Sequence, residues 1–178
     1  MIVVHVVITC CEGYPTRREP YRQAHLSRVT ALRARGTLIG GGPSPDGRQA
    51  ELFFRLASTD ELAPLIAEDP YSRGAAWTGF TWRSFTAFVE PWELPGVVLD
   101  GTRRATLVEG PARDPDLAQL ALVELRGAGH LRFGGLLGGA ATLALMRAED
   151  PAQAAQALVE TGLWAEAELG TRGLIHVL

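Results

Sequence analysis

The stretch from Pro20 to Pro43, PYRQAHLSRVTALRARGTLIGGGP, carries the pattern that decides the fold of the chain. Its first part spaces four side chains by four, four and three residues, which is typical of one face of an amphipathic helix. These side chains are Tyr21, His25, Val29 and Leu32. Proline suits a first helical position and glycine a C-terminal cap, so Pro20 and Gly36 mark the two ends. We predict a helix from Pro20 to Arg35, followed by a short strand from Thr37 to Gly41.

The segments on either side complete an order of six elements. Ile2 to Thr9 is rich in β-branched residues with apolar side chains on both faces, as expected of a strand buried within a sheet. After Pro43 we predict a turn, a strand over 49–56, a helix over 59–69 capped by Thr59, and a strand from Thr81 to Glu90. The order β-α-β-β-α-β is that of ferredoxin-like domains.

The same order of elements begins again at Arg104. We predict strands over 104–110, 130–133, 140–146 and 173–178, a helix opened by Asp114 that bears Leu117, Leu120 and Val123, and a helix over 151–160. A shift of 93 residues aligns Gly36, Leu38, Gly41 and Gly42 with Gly129, Leu131, Gly134 and Gly135. We therefore predict a tandem duplication, with a first domain over 1–92, a linker over 93–103 and a second copy over 104–178.

The arrangement of the two copies follows from the bare face that a small sheet with helices on one side leaves exposed. A second copy is a natural cover for that face, so we expect α+β architecture with tandem ferredoxin-like domains packed as an intrachain pseudo-dimer. The alternative is two independent domains on a flexible tether, although Val97, Val98 and Leu99 make the linker apolar for that role. Pairing of the whole chain into a further homodimer stays open.

Composition excludes several classes of partner. The chain of 178 residues has no lysine, 17 arginines and 20 acidic residues, with a formal charge of -3. Nucleic-acid binding relies on clustered basic residues, and these arginines are scattered. The longest apolar stretch, Ile2 to Ile8, is far shorter than the roughly 20 residues of a membrane span and lacks the flanks of a secretory signal. The two cysteines, Cys10 and Cys11, are adjacent and predict neither a disulfide framework nor a zinc site, which favours a cytoplasmic protein.

Three short motifs in the first half suggest chemistry. They are R-x-x-H-L at 22–26, G-x-L-x-x-x-G-P at 36–43 and D-P-Y at 69–71. In this order and spacing they resemble the YciI-like (YCII-related) family, and the resemblance spans residues 1 to about 92. It implies a fold of the dimeric α+β barrel type, related to the muconolactone isomerases.

The resemblance also implies a site. The family's candidate active-site His and Asp fall on His25 and Asp69, and the same motifs supply the candidate substrate-binding residues Arg22, Gly42, Pro43 and Tyr71. The family includes a dehydrochlorinase that acts on a chlorinated hydroxyquinol, but most members have no assigned reaction. The shift of 93 places Ala118 and Gly162 at the dyad positions of the second copy, so we expect one site.

Elementary chemistry supports the same residues. An imidazole titrates near neutrality, and a carboxylate beside it can fix its tautomer for general base catalysis. Arg22, three residues before His25, could hold an anionic or enolate oxygen. We therefore expect a small enzyme without cofactor or metal that carries out an elimination or isomerisation on a small cyclic or carbonyl compound.

Structural roles remain open for each of these residues. His25 could be a hydrogen-bonded core residue, Asp69 a helix terminator, and Arg22 a surface partner of Glu19. The chain would then be a non-catalytic module that binds a small molecule or serves assembly. Tandem ferredoxin-like chains also occur among haem proteins such as the chlorite dismutases, but nothing beyond the presence of His130 and His176 favours that class here.

Overall fold

The computed structural model describes residues 1–178 and divides them between two compact units. The first unit comprises Met1–Arg83, Pro95–Leu99 and His176–Leu178. The second comprises Ser84–Leu94 and Asp100–Ile175. The chain therefore passes between the units four times.

The first unit contains a four-stranded sheet of order β2-β3-β1-β4 with helices in the predicted order. Its elements are β1 (Ile2–Cys10), α1 (Tyr14–Arg17), α2 (Arg22–Ala34), β2 (Leu38–Pro43), β3 (Gln49–Leu56), α3 (Leu62–Ala67), α4 (Pro70–Arg73) and β4 (Trp77–Ser84). Strand β3 pairs antiparallel with both β1 and β2. The ferredoxin-like order predicted for this half is confirmed.

Alternation along β1 separates two sets of buried side chains. Val4, Val6 and Ile8 belong to a hydrophobic core that also includes residues of α2 and α3. His5 alternates with them and is fully buried, with its Nε2 2.6 Å from Oε2 of Glu51. A buried imidazole needs such a partner, so His5 is a hydrogen-bonded residue of the sheet.

Local details of the first unit differ from the predictions. Residues Glu19–Tyr21 form a 3₁₀ turn, and α2 begins only at Arg22, because Pro20 is accommodated in that turn. Ser58, not Thr59, caps the next turn by accepting a hydrogen bond from the amide of Asp60. The helix predicted to end near Asp69 ends at Ala67, and a separate short helix, α4, follows.

The strand predicted from Thr81 to Glu90 is wrong as a single element. Its first part is the end of β4, whereas Ala87–Val89 form β5 and pair antiparallel with a strand of the second sheet. Gly135 permits this pairing, because a Cβ there would overlap with the carbonyl oxygen of Ala87. A local hydropathy pattern predicts a strand but does not show which distant strand it pairs with.

The second unit contains a five-stranded sheet of order β5-β7-β8-β6-β9. Its remaining elements are β6 (Arg104–Pro111), α5 (Pro115–Gly127), β7 (Leu131–Gly138), β8 (Ala141–Met146), α6 (Pro151–Val159) and β9 (Gly170–Ile175). Asp114 and Asp150 cap the two helices with their side chains. Apart from the added edge strand β5, the order repeats that of the first unit.

Two predictions for the second half need correction. The last strand ends at Ile175, and the residues after it belong to the first unit, where the amides of Val177 and Leu178 donate to the carbonyl of Gly41. Leu117, Leu120 and Val123, the residues by which α5 was identified, are exposed. The buried face of α5 is lined instead by Ala118, Ala121, Leu122 and Leu125. None of the six helices has both the length and the apolar composition that crossing a membrane requires.

Candidate active site

His25 and Asp69 meet in the first unit. His25 lies on α2, and Asp69 lies between α3 and α4. Nδ1 of His25 is 2.8 Å from Oδ1 of Asp69, and the side chains are 12% and 5% exposed. A carboxylate can only accept a hydrogen bond, so Nδ1 carries the proton, and in the neutral imidazole the lone pair is then on Nε2. Nε2 makes no hydrogen bond within the chain.

The backbone around Asp69 explains how its carboxylate is held. Asp69 has extended geometry, as a residue before proline prefers. Its side chain caps α4, since Oδ1 also accepts a hydrogen bond from the amide of Tyr71 at 2.9 Å. The same Asp69 carboxylate therefore caps a helix, as its predicted place at a helix boundary suggests, and pairs with His25.

Arg28 is a further member of the site that the sequence interpretation missed. Its Nη2 donates to the carbonyl of Leu65 and to Oε2 of Glu68, both at 3.1 Å. Its Nε lies 3.9 Å from Oδ2 of Asp69. Arg28 thus ties α2 to the segment that presents Asp69. Its position three residues after His25 on one helix was the available indication.

Aromatic rings fix the orientation of the imidazole. The ring of Tyr71 stacks on that of His25, with centroids 3.8 Å apart and planes 14° from parallel. Trp77 meets the imidazole edge to face at 5.2 Å. Burial raises the pKa of Tyr71 well above its ordinary value of 10.0, and burial also raises the pKa of Tyr14. Both phenols stay neutral at physiological pH, which leaves His25 as the group of this cluster suited to accept a proton.

Arg22 supplies an unpaired positive charge near this cluster. It is the first residue of α2, and its charge acts on Tyr71, which contacts His25 directly. It forms no hydrogen bond or ion pair within the chain. The alternative partner, Glu19, lies 3.7 Å from Nε of Arg18 instead. The structure therefore removes the Arg22–Glu19 pair as an explanation for Arg22.

Gly42 and Pro43 lie on β2, where they pair with Glu51 and Ala50 of β3. No hydrogen bond or ring contact joins either residue to the His25–Asp69 pair. The turn that follows is closed by Asp46, which accepts hydrogen bonds from Oγ of Ser44 at 2.6 Å and from the amide of Arg48 at 3.0 Å. The Ser44 bond lowers the pKa of Asp46, so this exposed carboxylate serves the turn.

An open cavity of about 440 Å³ lies on the same side of the unit as α1 and the start of α2. It is lined by Glu12, Gly13, Thr16, Arg17, Pro20 and Tyr21. The ring of Tyr21 packs against Gly74, where a Cβ would overlap with it. Gly74 directly follows α4, so Tyr21 connects the cavity wall with the helix that carries Tyr71.

Other reactive side chains are not part of the site. Burial raises the pKa of Cys10 to about 12, so its thiol stays protonated and is a poor nucleophile. No group of three or more His, Cys, Asp or Glu side chains is arranged to hold a metal ion.

No protein-family model matches the sequence, and neither does any curated protein. Solved structures do match. A heme-binding protein from Thermus thermophilus aligns with 99% of this chain and 92% of its own length, at 12% identity and a TM-score of 0.50. A protein described as a candidate chlorite dismutase, TA0507, aligns with 100% of this chain and 96% of its own, at 10% identity and a TM-score of 0.50.

Both structures are of the dimeric α+β barrel type, and at these identities the likeness concerns the fold alone. It confirms the α+β fold class of the dimeric α+β barrel type and is compatible with a tandem ferredoxin-like arrangement. A 5-chloro-2-hydroxyhydroquinone dehydrochlorinase from Burkholderia phenoliruptrix AC1100, solved with 2,5-dihydroxybenzoquinone, covers 51% of this chain and 93% of its own. Its identity is 19% and its TM-score 0.40, which is too low to support an argument about this chain.

Proposed function

We propose that this chain is a cofactor-free acid/base enzyme in which His25 and Asp69 act on a small cyclic or carbonyl compound, in a lyase, dehydrohalogenase or isomerase type of reaction. The observation that carries the proposal is the 2.8 Å contact between Nδ1 of His25 and Oδ1 of Asp69. It leaves Nε2 as a base of defined tautomer. The resemblance of residues 1–92 to the YciI-like family supports this assignment, because its motifs mark the two residues that meet.

The proposed reaction begins with transfer of a substrate proton to Nε2 of His25. The electron pair left on carbon moves to the neighbouring carbonyl oxygen and forms an enolate, while Asp69 stabilises the imidazolium through Nδ1. In an elimination the enolate re-forms its carbonyl as halide leaves. In an isomerisation His25 returns the proton to a different carbon. Arg22 has the charge and the freedom to hold the enolate oxygen.

The remaining residues support this pair. Arg28 acts as a positioning residue, since it fixes the segment that presents Asp69. Tyr71 orients the imidazole by stacking on it. Substrate contacts by Gly42 and Pro43 rest on the family resemblance alone.

The test is exchange of carbon-bound protons in D₂O, followed by NMR on a panel of cyclic ketones and hydroxyquinols. We expect the wild-type protein to accelerate exchange on at least one compound. His25→Asn should lower that rate by about 10²- to 10⁴-fold, the usual contribution of a general base. Arg22→Gln should also slow it. Arg35→Gln, an exposed change at the other end of α2, serves as the matched control and should not.

A second candidate is a non-catalytic module in which His25 and Asp69 are structural. It is favoured by the capping bond from Tyr71 to Asp69, which gives the carboxylate a purpose without catalysis. This candidate predicts no exchange on any compound of the panel, together with loss of stability in the His25 and Asp69 variants. That result would contradict the enzyme proposal.

A further inference from the structure

Strand β4 is an exposed edge of the first sheet. It lies at the end of the strand order β2-β3-β1-β4, with only β1 as its neighbour. Between Thr78 and Ser84 every residue is exposed except Phe80, which is half-buried. An edge strand presents a row of backbone N–H and C=O groups that no strand of its own sheet binds. This edge is therefore open to pairing with a further strand.

The usual protections of an edge strand are missing from β4. Natural proteins shield such edges with proline, charged side chains or very short strands. β4 has eight residues, WTGFTWRS, with no proline and with threonine and aromatic residues that favour strands. Its one charged side chain, Arg83, is directed towards β1, since its Nη2 lies 3.5 Å from Nδ1 of His5. The guanidinium thus does not guard the outer edge.

The other three sheet edges are shorter or protected. β2 is bound by the end of the chain, where the amides of Val177 and Leu178 donate to the carbonyl of Gly41. β5 has only three residues. β9 has six residues, two of them glycines, and carries Arg172, whose Nη1 lies 3.0 Å from Oε2 of Glu109. β4 is therefore the longest edge strand and the one without a protecting feature.

The side chains of β4 are complementary to a second copy of the same strand. Side chains alternate along a strand, so Phe80 and Trp82 lie on one face, and Trp82 is 42% exposed. In an antiparallel pair of two β4 strands with the two-fold axis at Thr81, Phe80 faces the partner's Trp82, and Trp82 faces the partner's Phe80. Such aromatic cross-strand pairs stabilise a sheet. Arg83 faces the partner's Gly79, which has open space around it, so no like charges meet.

We propose that β4 pairs antiparallel with β4 of a second copy of this chain, so that two four-stranded sheets join into one eight-stranded sheet. The contact is one strand long, about 26 Å, and is smaller than the standard interface of roughly 800 Å² per partner. The dimer is therefore weak and forms reversibly at high protein concentration. It does not depend on the reaction proposed for His25.

Sedimentation velocity of the full chain over roughly 1–500 µM tests this pairing, because weak dimers dissociate within that range. We expect the wild-type protein to shift from monomer towards dimer as its concentration rises. Trp82→Ser removes both aromatic pairs of the symmetric interface and should raise the dissociation constant at least about tenfold. Trp92→Ser is the matched control, since Trp92 is 66% exposed and belongs to the second unit, and it should leave the association unchanged.

A charge swap at the two-fold axis shows whether β4 is the strand that pairs. Thr81→Lys and Thr81→Glu each place like charges opposite one another and should weaken the association about threefold or more. A mixture of the two variants should dimerise at least as well as the wild-type protein, because the lysine then faces the glutamate. Circular dichroism checks that each variant folds. A wild-type chain that stays monomeric at all concentrations would overturn the proposal, and so would equal losses in Trp82→Ser and Trp92→Ser, or no recovery in the mixture.

Discussion

At the scale of single residues, Asp69 serves two purposes. Its Oδ1 accepts hydrogen bonds from both the His25 imidazole and the Tyr71 amide, and its Oδ2 faces Arg28. Capping and orientation of the imidazole can be separated by choosing substitutions that keep one and lose the other.

Asp69→Asn keeps a good N-cap but removes the charge that holds the His25 tautomer, whereas Asp69→Ala loses both. Since capping contributes roughly 0.5–2 kcal/mol, the alanine variant should unfold with about 1 kcal/mol less free energy than the asparagine variant. Urea denaturation measures this difference. Both variants should lose proton exchange to a similar extent, and full exchange activity in Asp69→Asn would contradict the role of the carboxylate.

The sequence could indicate His25 and Asp69 because their motifs are local, but it could not show Arg28 or Trp77 as their neighbours. Those contacts depend on how α2, α4 and β4 pack, which adjacent letters do not encode. For Arg22, the sequence allowed an ion pair with Glu19. In the structure Glu19 lies next to Arg18 instead.

Cys10 provides a test of burial near the end of β1. Burial raises the pKa of Cys10 from its ordinary value of 9.0 to about 12, so between these pH values the thiol is neutral in the folded chain and ionised in the unfolded chain. The contribution of the buried neutral thiol to the free energy of unfolding is therefore complete below pH 9.0 and is lost as the pH rises towards 12. We expect iodoacetamide to alkylate Cys10 at pH 8 far more slowly than it alkylates free cysteine, as followed by mass spectrometry. Alkylation at the rate of free cysteine would show an accessible thiolate instead.

At the scale of elements, equivalent glycines of the two units lie in close contact with the backbone of the neighbouring strand. A Cβ at Gly41 would overlap with the carbonyl of Glu51, and one at Gly134 would approach the carbonyl of Leu143. Gly36 and Gly129 also share a positive φ, of 73° and 83°, where each follows its unit's long helix. These shared constraints support the duplication that we infer from the sequence.

Gly41→Ala and Gly134→Ala should each destabilise the fold by roughly 1–3 kcal/mol, because a backbone carbonyl cannot move aside as a flexible side chain can. Gly41 also has a φ of 140°, which adds strain. Thermal denaturation measures the effect. Gly79→Ala, in open space on β4, is the control and should change stability by less than about 0.5 kcal/mol; equal effects at all three positions would refute the explanation.

The element order of each half was predictable because strand and helix periods are local, and turn residues such as Gly36 and Asp114 mark their ends. The membership of strands in sheets was not. Residues 81–90 carry a continuous strand pattern, yet Ala87–Val89 pair with β7. Likewise, the exposed Leu117 and Leu120 on α5 mislead any assignment of the buried face from hydropathy alone.

At the scale of the whole molecule, each unit is built from segments that lie apart in the chain. Val97 and Leu178 pack with the core of the first unit, and β5 completes the sheet of the second. A chain cut after residue 92 separates these parts from the units that they complete. The packing of the two units as a pseudo-dimer stays a prediction.

We expect the full chain to unfold in one cooperative transition, and the fragment of residues 1–92 to be markedly less stable, because it lacks Pro95–Leu99 and His176–Leu178. Scanning calorimetry of both chains measures this. Two separate transitions in the full chain, one of which coincides with that of the fragment, would indicate independent domains.

The haem alternative considered for His130 and His176 makes the proposed cofactor-free chemistry directly testable. The absorbance spectrum of the purified protein, with and without added haem, should lack a Soret band shifted by a protein ligand. A saturable Soret shift that His130→Ala or His176→Ala abolishes would replace the acid/base proposal by a haem function.

The central claim is that Asp69 holds the His25 imidazole with its proton on Nδ1 and its lone pair on Nε2. Long-range ¹H–¹⁵N correlation NMR of the histidine side chains, at a pH where His25 is neutral, measures this directly. We predict an Nδ1–H tautomer for His25 in the wild-type protein and loss of that preference in Asp69→Asn. An Nε2–H tautomer in the wild type, or identical spectra in both proteins, would contradict the account.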